Sequence, residues 1–347
     1  MNNFSQQSHL TVNQLDNFFN QQLLNFGLPG FIAGIWIPSQ NINYVQSFGY
    51  ADLDARKPMD PYLNVRIASV SKIFTSITIL KLAETGFLSL DDKLEKYIQN
   101  IPNGREINIR QLLNMTSGIY SYPQDPHFTN NLNTNPLMQL TINDVIQIIN
   151  SHSPASRPGE AYHYTDSAYY LLGLIIEKVT NQPANNVILN LTAKPLNMRN
   201  TYFPVGNAVI PGNYSRGYTT INNQLRDVTA INPNIAWTAG AIVSNLTDLK
   251  IWIEAVATGK LLSNKYFLEF MTFVPVNGSL EKLFGLGIGN IKGYIIYQGA
   301  IIGYNTLVAH NPKLNSTFVL IANKSTNEST VTIQIFEHLL RFIYGSV

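Results

Sequence analysis

The chain has 347 residues, 45% hydrophobic and only 13% charged, with 23 basic against 21 acidic residues and no cysteine. At a formal net charge of +2, with no Lys/Arg run or basic stripe, nothing marks a protein that binds nucleic-acid phosphates. Without cysteine there are no disulfides, thiolate nucleophiles or cysteine zinc sites, so covalent chemistry falls to Ser, Thr, Lys or a carboxylate.

A soluble domain usually carries about a quarter charged residues, and here abundant asparagine, suited to caps and turns, takes that surface. No segment reaches the ~18–20 apolar residues that span a bilayer, so no membrane span is expected. Met1 to Thr11 is polar and lacks the basic-then-apolar pattern of a secretory signal. The expectation is a chain that stays in the cytoplasm, or one from which a signal was removed.

Thr11 is an N-cap candidate for a first helix with Leu15, Phe18, Phe19, Leu23 and Leu24 at helical spacing, stopped by Gly27 and Pro29. Phe31 to Ile37 and Tyr44 to Ala51 read as a strand pair with a turn at Pro38 to Asn43. Ser69 to Gly86 is helical, with Gly86 at its end. Helical patterns follow at Ile109 to Met115, Ile142 to Asn150, Ala168 to Thr180 and Ala184 to Leu191, and Tyr122 to Pro136 reads as a loop. Leu246 to Ala257 and Asn264 to Phe273 are the next helices. Strand signals return at Phe284 to Ile288, Tyr294 to Gln298, Thr306 to His310 and Thr317 to Ala322, before a last helix from Val331 to Tyr344. This order predicts an α+β fold: an antiparallel sheet built from both chain ends, residues 1–68 and 240–347, flanked by the terminal helices. Residues 69–239 form an inserted, mainly helical lobe, with a cleft between the two.

Three short patterns carry chemistry. Ser69-Val70-Ser71-Lys72 places a hydroxyl and an amine at i and i+3 on one helix face, where a lysine can take a serine proton. A second Ser-x-x-Lys, Ser279 to Lys282, follows Asn277-Gly278 in a loop without a helix to align it. Tyr164-Thr165-Asp166, after the turn at Pro158-Gly159, offers a proton relay and a polar partner for the lysine, although Thr165 or Asp166 also suits a helix cap. Tyr297-Gln298-Gly299 lies on a strand whose glycine permits close approach, so the Ala300 N–H can pair with that of Ser69 as an oxyanion hole. The six histidines show no metal spacing, no Gly-x-Ser-x-Gly elbow is present, and no phosphate-cradling glycine loop follows a strand. His163, beside Tyr164, reads as a packing or surface residue.

Taken in order, Arg66-Ile67-Ala68-Ser69-Val70-Ser71-Lys72, Leu112-Leu113-Asn114-Met115-Thr116-Ser117-Gly118, Pro158-Gly159 before Tyr164-Thr165-Asp166, Thr238-Ala239-Gly240 and Tyr297-Gln298-Gly299 resemble the serine β-lactamase and penicillin-binding protein superfamily. The branch most similar holds D-Ala-D-Ala carboxypeptidases, class C β-lactamases and related esterases. The resemblance implies a β-lactamase/transpeptidase-like fold and a serine hydrolase that works through an acyl-enzyme without cofactor or metal. Substrates would be D-amino-acid peptides, β-lactams or esters; a non-catalytic peptide-binding member is the alternative. Ser69 would be the nucleophile, Lys72 its base and Tyr164 the proton shuttle, with Ser69 and Ala300 giving the oxyanion N–H groups. Asp166, Tyr297, Gln298, Gly299, Trp237 and Tyr120 would line the substrate cleft.

Four departures from the family pattern bear on chemistry. Asp166 stands where the family usually has Asn and would hold Lys72 charged if the two pair. Tyr297 stands where it has Lys, His or Trp, and removes a cation that helps to bind a carboxylate. The preceding Gly285-Leu286-Gly287-Ile288-Gly289 offers no arginine, Lys292 is the nearest positive charge, and Met115 replaces a frequent His. Less charged acyl groups are therefore expected.

Overall fold

In a computed structural model, which describes residues 10–325 and 331–345, Thr11 caps the first helix as its side chain suggests. Its Oγ1 accepts from Gln14 N while the Gln14 side chain accepts from Thr11 N, a reciprocal cap on α1 (Val12–Asn25). Most of the polar start read for a signal, residues 1–9, lies outside the described residues.

β1 (Gly30–Ile37) and β2 (Ile42–Asp52) form the expected hairpin, followed by β3 (Lys57–Pro58) and β4 (Val65–Arg66). The helical stretch holds α2 (Ser71–Glu84), α3 (Ile109–Leu113), α4 (Pro126–Thr134), α5 (Ile142–Ser151), α6 (Asp166–Thr180) and α7 (Ala184–Leu191). Next come β5 (Tyr218–Ile221), β6 (Gln224–Asp227), β7 (Val243–Ser244), α8 (Leu246–Ala257) and α9 (Asn264–Phe270). The chain ends with β8 (Val274–Val276), β9 (Ser279–Phe284), β10 (Gly289–Ile291), β11 (Tyr294–Ile301), β12 (Tyr304–Asn311), β13 (Ser316–Ala322), β14 (Lys324–Ser325) and α10 (Val331–Tyr344).

Among the described residues nine strands make one antiparallel sheet in the order β3-β2-β1-β13-β12-β11-β10-β9-β8. The two ends of the chain meet where Phe31 pairs with Ala322 and Trp36 with Thr317. Side chains alternate across this sheet. Phe31, Ile35, Leu307 and Leu320 pack under α1 and α10 with Phe19 and Phe336, while Ile32, Val308, Val319 and Ile321 join the opposite core. That second core runs on into α2, α6 and α8, where the Phe74 ring stacks on Trp252 at 3.8 Å. β12 and β13 are buried along their whole length, and each carries a continuous apolar run, Leu307 to Ala309 and Phe318 to Ala322.

Three local expectations are corrected. Phe284 to Ile288 is not a strand: β9 ends at Phe284, Gly285 N bonds Ile288 O at 2.7 Å, and Gly287 takes φ +98°. A Cβ on Gly287 would lie 1.8 Å from Ser76 Oγ, so this turn is pressed onto α2. Tyr122 to Pro136 is not all loop, because Asp125 caps α4 through Phe128 N and Pro126 takes its first position. The β5–β6 hairpin turns through Asn222 and Asn223, both at positive φ. The second Ser-x-x-Lys sits on exposed β9 rather than in a loop.

β11 passes the start of α2 at backbone contact distance. A Cβ on Gly299 would stand 2.3 Å from Ile67 O and 2.8 Å from Ser69 N, and neither backbone atom can give way cheaply. Gly299→Ala is therefore expected to cost about 1–3 kcal/mol of stability by overpacking. Chemical denaturation of the purified variant measures that loss.

Candidate active site

Ser69 sits on the joint between strand and helix. β4 pairs with β7, Ile67 N bonds Ile242 O at 3.0 Å, and the chain makes a 3₁₀ turn over Ala68–Val70 before α2 begins. Ser71 Oγ accepts from Ile242 N at 3.1 Å and pins the other side. Between these anchors Ala68 is held at φ +50°, a left-handed conformation that a residue with a Cβ rarely adopts. The Ser69 side chain does not cap the helix. Its Oγ accepts from Lys72 Nζ at 3.0 Å and from the Tyr164 hydroxyl at 2.8 Å.

Lys72 has no exposed side-chain surface. An ammonium has three N–H donors, and all three are used: Ser69 Oγ at 3.0 Å, Asp166 Oδ1 at 2.5 Å and Ala239 O at 2.7 Å. Its charge also lies 5.1 Å from the Tyr164 ring centroid and 5.6 Å from that of Tyr169. Burial alone pulls this amine down, but the Asp166 carboxylate, followed by Tyr164, outweighs it and holds Lys72 above the ordinary lysine value. The resting lysine is a fixed cation.

Asp166 opens α6, and neither it nor Thr165 caps that helix with its side chain. Its backbone N–H donates to Ser121 Oγ at 3.1 Å, and its carboxylate turns back onto Lys72. Tyr164, 39% exposed, reaches Ser69 from the segment before α6. Met115, at φ +62°, braces that segment: its carbonyl accepts from His163 N at 2.7 Å and its sulfur from Thr165 N at 3.4 Å.

A cavity of about 200 Å³ opens on Ser69, Asp166 and Ala300. Tyr297 is not among its lining residues and is buried; burial first, then Tyr164, pushes its ionisation well up. Trp237 does not line the cavity. It is 8% exposed, its ring lies 4.8 Å from Tyr170, and it packs against Gly173 of α6. Tyr120 is not among the lining residues either, and its ring stacks on His152 at 3.9 Å. Gln298 and Gly299 stay on β11 outside the lining, Gly299 serving the close approach to Ser69.

Sequence reasoning missed the Ala239 carbonyl and most of the apolar wall: Phe128, Leu132, Ile235, Ile301 and Ile302. A signal for α4 was present in Asp125-Pro126 followed by Phe128 and Leu132 four apart. Among the described residues no three His, Asp or Glu side chains gather as a metal site, and no helix is long and apolar enough to cross a membrane.

Residues 16–340 match the family model described as Beta-lactamase. Protein flp of Staphylococcus aureus (strain MW2) is 29% identical over 341 residues, 94% of this chain. The chain spans 65% of the length of that relative. A D-stereospecific amidohydrolase from Streptomyces sp. superposes with a TM-score of 0.83 at 27% identity, covering 95% of this chain and 99% of that one. A D-amino acid amidase from Ochrobactrum anthropi, 20% identical, shares the fold with a TM-score of 0.82 over 94% and 98% of the two chains.

The Lys72–Asp166 pair has a testable pH signature. Because the folded pKa of Lys72 is raised, the pair's stabilisation is fully present below the ordinary lysine value of about 10.4 and is lost as pH rises through the folded one. Asp166→Asn should cost about 2 kcal/mol at neutral pH, the worth of a hydrogen bond to a charged group. Urea unfolding of both proteins across alkaline pH should show that gap closing.

Proposed function

The chain belongs to the beta-lactamase family, and from that premise we propose that it is a serine hydrolase that cleaves amide or ester bonds through an acyl-enzyme on Ser69. The observation that carries this reading is the double hold on one hydroxyl: Ser69 Oγ receives hydrogen bonds from both Lys72 and Tyr164.

Since every N–H of Lys72 is engaged, the lysine contributes positive charge and Tyr164 moves the proton. Rotation of two hydroxyl protons reverses the Tyr164–Ser69 hydrogen bond. Ser69 Oγ then attacks the carbonyl carbon, its proton passes to the Tyr164 oxygen, and the original Tyr164 proton goes to the leaving nitrogen or oxygen. The bond to the leaving group breaks, leaving an ester on Ser69. Water attacks that ester, gives a proton back by the same route and releases the acid. In this reading the Ser69 and Ala300 N–H groups face the carbonyl oxygen, and the flush packing of Gly299 on Ser69 supports it.

Relatives named for D-stereospecific hydrolysis and for D-amino acid amides support an amide of D-amino-acid type as the first substrate class. An esterase is the second reading. It is favoured by Tyr297 where the resemblance implies Lys, His or Trp, and by a cavity lining without Lys or Arg. Both features speak against recognition of a free C-terminal carboxylate.

A fluorophosphonate probe should label the wild type and leave Ser69→Ala unlabelled. Equal labelling of both would remove Ser69 as nucleophile. Tyr164→Phe should keep the fold and lower kcat about 10²–10⁴-fold, the usual share of general acid–base catalysis. An unchanged kcat on an amide substrate would remove Tyr164 from proton transfer.

A further inference from the structure

The cavity at Ser69 has an uneven lining. Phe128 and Leu132, one turn apart on α4, face the end of the β11–β12 hairpin at Ile301 and Ile302, and Ile235 closes one side. Among the described residues that line it, the single charged side chain is Asp166. Lys72, the cation beneath, has no exposed surface, whereas the Asp166 side chain keeps 24% of its own. A ligand entering here therefore meets a carboxylate and an apolar wall, not an ammonium.

Geometry places that carboxylate beside the reacting atoms. Ser69 Oγ and Asp166 Oδ1 both hydrogen-bond Lys72 Nζ, so they are separated by at most the sum of those two short distances. Among the described residues Lys72 alone hydrogen-bonds to the carboxylate, through Oδ1. In an α-amino acyl group the nitrogen is two bonds from the carbonyl carbon, a span that fits this separation. Protonated, it would donate to the carboxylate in a charge-assisted bond.

Resting on the hydrolase reading above, we propose that the site takes amides or esters of α-amino acids bearing a free ammonium and an uncharged, apolar side chain. The ammonium binds Asp166, and the side chain lies between α4 and the Ile301–Ile302 hairpin. Acyl groups carrying a carboxylate at the amino end are rejected by the same anion.

Four probes test this on the intact protein: D-phenylalanine amide, its N-acetyl and N-succinyl derivatives, and D-alanine amide. The free phenylalanine amide should exceed both the N-acetyl derivative and alanine amide at least tenfold in kcat/KM, and the succinyl derivative should be the poorest. In the wild type, KM for the free amide should rise as its amine deprotonates above about pH 8, while KM for the N-acetyl derivative stays flat. In Asp166→Asn the ratio of free to acetylated substrate should fall about tenfold, whatever happens to the absolute rate. Equal or better use of the acetylated or succinylated probe, or an unchanged ratio in Asp166→Asn, overturns the assignment. The wild-type pH comparison decides even if that variant does not fold. Turnover of none of the probes by a protein that fluorophosphonate labels on Ser69 overturns this assignment alone; absence of both turnover and labelling overturns the hydrolase reading with it.

Discussion

A fully buried ammonium organises the centre of this molecule. Desolvating a lysine charge is tolerable only if every donor finds an acceptor, and Lys72 finds three in three separate parts of the chain: Ser69, Asp166 and Ala239. Satisfying that one group draws together the start of α2, the first turn of α6 and the 3₁₀ turn before β7. Thr75 Oγ1 bonded to Thr238 O at 2.7 Å and Thr238 Oγ1 bonded to Tyr169 O at 2.9 Å reinforce the same three-way junction. What looks like a catalytic constellation is also the polar keystone of an otherwise apolar core.

The sheet enters this arrangement through its glycines. Gly299 lets β11 lie against the Ser69 backbone, and Gly287 lets the turn after β9 press onto Ser76. The left-handed Ala68 is the counterpart of these close approaches: its backbone is held in a sparsely populated region between hydrogen bonds on both sides. Replacing the family's usual Asn by Asp166 adds a second consequence. The carboxylate holds the proton on Lys72 and places one partly exposed anion, ion-paired with that lysine, in the lining of the cavity.

Much of the fold was legible because its signals are local. The Thr11 cap, the alternating strands and the apolar periodicity of α6 and α8 depend on neighbours in sequence, and they fall within a few residues of expectation. The misreadings share one cause. Phe284 to Ile288 has strand-like residues, but its Gly287 answers to Ser76 on a distant helix. The polar Tyr122 to Pro136 stretch conceals a helix whose two apolar residues face the cavity. Trp237 carries the side chain expected of a cleft residue, yet it fills space beside Tyr170.

By itself the sequence determined which chemistry is available: a cysteine-free chain with a serine and a lysine one helical turn apart, a tyrosine two residues before an acid, and a glycine on a late strand. Those are covalent facts and short-range spacings, and they survive any folding. Only the tertiary structure decided that Asp166 pairs with Lys72, that the lysine is fully buried, that Trp237 packs on Tyr170 and Tyr120 on His152, and that apolar side chains line the cavity at Ser69. Each of those outcomes depends on contacts between residues distant in the chain and on which groups lose their water, and neither is encoded in spacing.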